Sequence, residues 1–299
     1  MRQYPSSLSN STSSTPLAVS FEFYPPGVNQ QLFWNAINRL MPLGPQFVSL
    51  TYGAGGSTRN NSSDRIVDAL LARRDIPLAT HLTCVGASRS EIDQLARAWA
   101  DAGVSRIVAL RGDMPVPGAP FVPHPKGYRD AADLIAGLRR IADFDISAAA
   151  YPERHPDSES LGADLDNLKR KVDAGASKLI TQYFFEVETF LRFRDRAVQA
   201  GITVPIIPGI LPIGNFAKLL QFSKRCSATV PSWLAERFHG LDHEPEMRAI
   251  VALSTAFRLC RDLIAEGVTA LHFYTLNHAA LTYAICRKLN VRPYCTEAA

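Results

Sequence analysis

One short unit recurs along this chain and constrains its fold more than any other feature. Ala102-Gly103-Val104-Ser105 leads into Arg106–Leu110, and Ala174-Gly175-Ala176-Ser177 leads into Lys178–Thr181. Ala200-Gly201-Ile202-Thr203 and Glu266-Gly267-Val268-Thr269 introduce two further apolar runs. Each glycine follows a stretch of helical periodicity, such as Ile92, Leu95, Ala96, Trp99 and Ala100 ahead of Gly103. Glycine just past a helix takes the left-handed conformation that ends it. The unit is therefore helix, glycine cap, strand.

Eight apolar runs read as strands: 18–23, 47–51, 77–83, 106–110, 145–151, 178–184, 205–210 and 270–274. Helical stretches separate them at 32–40, 65–73, 92–102, 131–141, 163–174, 188–199, 216–223 and 248–266. Strands alternating with helices imply parallel pairing through right-handed crossovers. Eight such units in 299 residues predict an α/β fold, a closed (β/α)8 TIM barrel, with an open doubly wound sheet as the alternative. No strand is followed by Gly-x-Gly-x-x-Gly, and Gly53-Ala54-Gly55-Gly56 lacks that spacing, which disfavours a Rossmann dinucleotide turn.

Residues 1–16, rich in Ser, Thr and Asn, read as a disordered tail, and 17–299 as a single domain. The tail has no signal-peptide core, and no apolar run reaches the ~20 residues a membrane span needs. The net charge of +4 is too small to argue for nucleic acid. Five cysteines, an odd number without a Cys-x-x-Cys pair, predict reduced thiols in a cytoplasmic protein and no zinc site.

A barrel of this kind carries its active site at the carboxyl ends of the strands. Those ends hold Glu22, Thr51, His81 with Thr83, Arg111-Gly112-Asp113, Tyr151, Gln182 and His272 with Tyr274. Glu22 stands out: a carboxylate inside Ser20-Phe21-Glu22-Phe23-Tyr24 must be paired, or must take a proton as its pKa rises. The bland readings are a hydrogen-bonded core histidine at 81, a strand-end ion pair at Arg111 and Asp113, rim packing for Tyr52, Tyr128 and Tyr151, and a solvated helix face at 169–171. No His-x-His closes the first strand and Lys178 opens its strand, which disfavours a metal-dependent hydrolase and a Schiff-base enzyme. No metal-ligand set is read.

The motifs SFEFYPP (20–26), LTYGA (50–54), ALRGD (109–113), AAYPERHP (149–156), NLKRKVDAG (167–175), ITQYFF (180–185), IIPGILP (206–212) and FYTLN (273–277) occur in order. Together they resemble methylenetetrahydrofolate reductase of the bacterial type, limited to its catalytic barrel. The resemblance implies an FAD-binding (β/α)8 barrel that reduces 5,10-methylenetetrahydrofolate to 5-methyltetrahydrofolate with NADH or NADPH. The reaction would be ping-pong, feeding methionine synthesis, in a cytoplasmic homo-oligomer. It gives Glu22 the role of ring-opening acid and Asp113 that of a carboxylate near flavin and pterin. Cofactor contacts fall on Thr51, Tyr52, Ala54, His81, Arg111, Gly112, Asp113, Tyr128, Tyr151, His155, Asp164, Asn167 and Lys171, with Arg170 beside them. Folate contacts fall on Glu22, Asp113, Gln182, Lys218, Phe222 and His278. Lys218 and His278 depart from the family's Gln and Arg at the glutamate tail, and the proline-dense loop 114–126 looks longer than usual. A flavin-free pterin methyltransferase and a non-catalytic flavin- or folate-binding barrel are the alternatives.

Overall fold

The computed structural model describes residues 16–26, 30–51, 61–116 and 119–294. Residues 1–15 of the expected tail (1–16), together with Tyr52, Ala54 and Cys295, lie outside the described residues. The chain runs β1 (Ala18–Phe23), α1 (Gln30–Leu40), β2 (Phe47–Leu50), α2 (Asn61–Ala72), β3 (Leu78–Thr83), α3 (Arg89–Asp101), β4 (Arg106–Leu110) and α4 (Ala131–Leu138). It continues β5 (Asp145–Ala150), α5 (Leu161–Asp173), β6 (Lys178–Thr181), α6 (Val187–Gln199), β7 (Ile206–Ile207), β8 (Gly209–Ile210) and α7 (Phe216–Cys226). It ends α8 (Ser232–Phe238), α9 (Pro245–Ala265), β9 (Ala270–Tyr274) and α10 (Ala279–Lys288).

All ladders are parallel, in the order β7-β6-β5-β4-β3-β2-β1-β9-β8. β7 and β8 are halves of one strand broken at Pro208, so the sheet closes into the expected barrel with eight strand positions. Proline has no N–H to give a ladder. The strand changes partner there: β7 pairs β6, β8 pairs β9, and the Pro208 carbonyl accepts from His272 N at 3.0 Å. Gly209 N is satisfied by the Thr181 hydroxyl at 2.9 Å. A Cβ on Gly209 would lie 2.1 Å from the Thr181 carbonyl oxygen, so only glycine fits the break.

The glycine caps form as the repeat predicts. Gly103, Gly175, Gly201 and Gly267 all have positive φ. The next residue in each case donates five residues back: Val104 to Trp99, Ala176 to Lys171, Ile202 to Ala197 and Val268 to Leu263. That bond is the signature of the Schellman motif. At the other end of the helices, side chains of Ser88, Asp130, Ser160 and Asn215 accept from helix N–H groups as N-caps.

Some boundaries differ from the sequence pattern. The run 178–184 stops being strand at Thr181, whose carbonyl is taken by the Tyr274 hydroxyl at 2.6 Å. Tyr183 and Phe185 turn instead into a satellite cluster with Leu219, Leu234 and Phe238 under α7 and α8. α7 runs three residues past Ser223, to Cys226. α9 starts earlier than 248, with Pro245 in its first turn, where a fixed φ suits a helix start. The short helices α8 and α10 had no distinct period in the sequence.

Candidate active site

Alternate residues of each strand point into the barrel, and they form layers. At the amino end of the strands Asp145 holds Lys178 Nζ at 2.6 Å and Arg106 Nε at 3.7 Å, and accepts from the Ser177 hydroxyl. Above this plug lies an apolar layer of Phe47, Ala79, Val108 and Ile180. Above that come Glu22, His81, His272 and Tyr274, which with Thr51 and Gln182 line a cavity of about 650 Å³ at the carboxyl end. Lys178 therefore sits at the end of the barrel opposite the cavity.

Glu22 is 8 % exposed, and among the described residues its carboxyl group makes no hydrogen bond, while its backbone carbonyl accepts from the Thr275 hydroxyl (2.6 Å) and Thr275 N (3.3 Å). Asn277 brackets Tyr24, accepting from its N and donating to its O, both at 3.0 Å. These links pin the end of β1 to the end of β9 and fix where the carboxyl points. His81 Nε2 lies 3.4 Å from Glu22 Oε2, yet neither ring nitrogen of His81 makes a hydrogen bond. His272 accepts or donates at 2.8 Å with the Ser20 hydroxyl and stacks on Phe47. Burial raises the Glu22 pKa to about 8 and lowers those of His81 and His272 to about 3. All three are neutral at pH 7, so Glu22 holds a proton it can give.

The wall formed by β4, β5 and α5 is cationic. Arg111 binds Asp157 at 2.7 Å and lays its guanidinium 4.6 Å from the ring centre of Phe121. Lys171 is buried, donates to the Ala149 carbonyl at 3.0 Å, and is lowered by burial to about 8. Arg170 pairs with Asp130 on the surface. A second cavity of about 260 Å³ lies among Arg111, Gly112, Asp130, His155, Asn167 and Lys171, and shares Arg111, Tyr151 and His155 with the larger one. Asp164 accepts from His155 N (3.0 Å) and the Ser158 hydroxyl (3.2 Å), holding the loop that forms this wall. His155 Nδ1 accepts from Asp157 N, so its Nε2 carries the proton.

Glu22, Thr51, His81, Arg111, Asp113, Tyr151, His155, Gln182 and Phe222 thus meet around the larger cavity, and Gly112, Asn167 and Lys171 around the smaller. Four predicted contacts do not join them. Asp164 lines neither cavity and instead holds the loop 155–158. Tyr128 is buried beneath α3 and α4, its hydroxyl donating to Asp93 at 2.6 Å and Arg89 covering its ring. Lys218 and His278 are exposed near the starts of α7 and α10, outside the lining of either cavity. The proline-dense loop does reach the site, through Met114, Pro115, Val116, Ala119 and Phe121. The sequence pattern missed Lys224, Arg225 and Cys226, which line the larger cavity because α7 continues past Ser223. Their signal was the Lys-Arg pair itself, which suits a last helical turn.

The sequence profile of the family described as methylenetetrahydrofolate reductase matches residues 8–290. The chain belongs to that family. The 5,10-methylenetetrahydrofolate reductase of Salmonella typhimurium is 50% identical over 277 residues, covering 92% of this chain and 91% of its own. That of Escherichia coli is 49% identical over the same shares. An Arabidopsis thaliana methylenetetrahydrofolate reductase (NADH) is 35% identical over 87% of this chain but only 46% of its own, so this chain corresponds to part of that longer relative. Among solved structures, a Clostridium thermocellum protein that binds two copies of 5-methyl-5,6,7,8-tetrahydrofolic acid superposes with a TM-score of 0.64. It covers 92% of this chain and 96% of its own at 16% identity, a likeness of fold. Among the described residues no helix is long and apolar enough to cross a membrane, and no His, Cys, Asp and Glu group could hold a metal ion.

Proposed function

We propose that this chain reduces 5,10-methylenetetrahydrofolate to 5-methyltetrahydrofolate, with FAD as resident cofactor and NADH or NADPH as reductant. The observation that carries the reading is Glu22: a buried carboxyl, protonated at neutral pH, in the wall of a cavity large enough for a pterin. The unpartnered His81 nitrogens and the two joined cavities fit a flavin. Thr51, His81, Arg111, Gly112, Asp113, Tyr151, His155, Asn167 and Lys171 would hold it, with Lys171 and Arg111 balancing phosphate charge. Bound FAD would supply the hydride carrier that NAD(P)H reduces and the folate oxidises, the two reactants using the cavity in turn.

Glu22 donates its proton to the folate nitrogen N10 of the methylene bridge. The bond between the bridging carbon and N10 breaks, its electron pair staying on the nitrogen, and the carbon left on N5 becomes an electrophilic iminium. Hydride addition at that carbon gives the N5-methyl product, and Glu22 regains a proton from solvent. Asp113, Gln182 and Phe222 line the same cavity, which supports a role for the first two in hydrogen-bonding the pterin and for Phe222 in packing on its ring. Protein groups here supply the general acid and the orientation.

The test is a pair of half-reactions on Glu22→Gln. Reduction of the flavin by NAD(P)H should persist, while reoxidation by methylenetetrahydrofolate should collapse. Reoxidation at the wild-type rate would remove Glu22 from this role, and a colourless protein lacking flavin would overturn the cofactor assignment.

A further inference from the structure

The turn after β9 is built against conformational preference. His278 N donates to the Thr275 carbonyl at 2.8 Å, and the two residues between them, Leu276 and Asn277, have φ of 49° and 61°. Positive φ at both centres is the type I′ arrangement, which favours Gly, Asn and Asp. Asn277 suits it and Leu276 does not, because a bulky side chain in the left-handed region is an outlier. Among the described residues Ser227, Leu276, Asn277 and Asn290 are the non-glycine residues at positive φ, and 276–277 is the one adjoining pair. Strained backbone of this kind persists only where its surroundings over-determine it.

The surroundings here are the acid's strand and the cavity. Leu276 lines the larger cavity and packs against the satellite cluster of Tyr183 and Leu219. The ladder between β1 and β9 ends at Glu22, opposite Tyr274. Beyond it the Asn277 side chain takes the part of a strand neighbour, accepting from Tyr24 N and donating to Tyr24 O, while Thr275 gives its hydroxyl and its N–H to the Glu22 carbonyl. Asn277 N donates in turn to the Thr275 hydroxyl at 3.1 Å, so each clamp rests on the other. From the β2 side Thr51 N holds the Phe23 carbonyl at 2.9 Å. The carbonyls of Glu22, Phe23 and Tyr24 are thus all held, from both flanks.

The Glu22 carboxyl makes no hydrogen bond among the described residues, so its direction is inherited from the backbone beneath it. Resting on the proposed folate reading, we infer that Asn277 is a positioning residue for the reduction: the strained turn 275–278 holds the end of β1 so that the Glu22 carboxyl meets the folate nitrogen it protonates. Glycine at 277 would take the same φ without cost, but it has no amide to give Tyr24. A turn that served only to end β9 would have no use for that amide. Misplacing a reacting group by about 1 Å costs up to ~10²-fold in rate, which is the scale on which such a clamp acts.

The experiment follows both half-reactions of Asn277→Gly on the FAD-loaded full chain. Reoxidation of the flavin by methylenetetrahydrofolate should slow by roughly 10- to 100-fold at saturating folate, with little change in the folate concentration that half-saturates it. Reduction of the flavin by NAD(P)H should keep its wild-type rate. Asn277→Asp, which keeps the acceptor for Tyr24 N and loses the donor to Tyr24 O, should fall between. In a Glu22→Gln background Asn277→Gly should cost no further rate, because the group it positions is already gone. An unchanged reoxidation rate in Asn277→Gly, equal losses in the two half-reactions, or a full additional loss in the Glu22→Gln background each overturns the inference. Thr275→Val, which removes the hydroxyl held on the Glu22 carbonyl, carries the same test if Asn277→Gly does not fold. A wild type whose flavin methylenetetrahydrofolate cannot reoxidise fails the underlying reading instead, and a working wild type matched by an equally fast Asn277→Gly fails only this one.

Discussion

Two carboxyl groups sit in one barrel lumen and end in opposite states. Burial pushes Asp145 upward, but hydrogen bonds from Lys178 and Ser177 and the charges of Lys178 and Arg106 outweigh it, and its pKa falls below the ordinary value. Glu22, at the other end, receives the same push from burial with nothing to oppose it, and rises to about 8. Asp145 is also the more exposed, with a side chain 35% accessible against 10% for Glu22. Partners and burial together separate a charged carboxylate from a neutral carboxyl group, and the apolar layer of Phe47, Ala79, Val108 and Ile180 lies between Lys178 and Glu22.

The largest way to break this contrast is to remove the acid. Glu22→Gln should cut folate-dependent turnover by roughly 10²–10⁴-fold, the usual worth of general acid catalysis, measured as the flavin reoxidation rate. The second test is stability against pH. A carboxyl with its pKa raised from 4.5 to about 8 adds stability at low pH that is lost as pH climbs through that window. His81 and His272, lowered from 6.5 to about 3, act the other way and lose stability as pH falls below 6.5. The wild-type contribution of this layer should therefore peak near pH 6.5. Glu22→Gln should abolish the decline above it, by about 1–3 kcal/mol between pH ~6.5 and ~8.5 in urea unfolding. A wild type whose stability rises over that interval would contradict the assignment.

At the opposite end, Lys178→Met leaves Asp145 half-buried with only Arg106 and Ser177, and should cost about 1–3 kcal/mol in chemical denaturation. The pH dependence of folate reduction should keep its midpoint in this variant, since the plug and the acid are insulated. A shifted midpoint would show that the two ends communicate. The smallest change is expected when both charges go: Lys178→Met with Asp145→Leu should return to within about 1 kcal/mol of the wild type, because an apolar pair can replace an ion pair once neither charge is stranded.

Sequence alone was informative where the cause is local. The four glycine caps and the parallel order follow from neighbours within a few residues. Glu22 was legible too, as one ionisable group inside an apolar run. What escaped depends on distant partners. Tyr128 reads like a rim tyrosine until Asp93, 35 residues away, takes its hydroxyl. The break at Pro208 depends on how the Thr181 hydroxyl and Tyr274 converge on Gly209, which no local period reveals. The last turn of α7 was lost because Ser223-Lys224-Arg225 interrupts the apolar rhythm, although Ser223 is buried against Tyr183.

The salt-bridged floor of the lumen has a further consequence for traffic. With the amino end filled by the Asp145, Lys178 and Arg106 ion pairs, whatever reaches Glu22 comes and goes at the carboxyl end of the strands. A product still seated there blocks the next arrival, and the time spent vacating the chamber becomes part of every turnover.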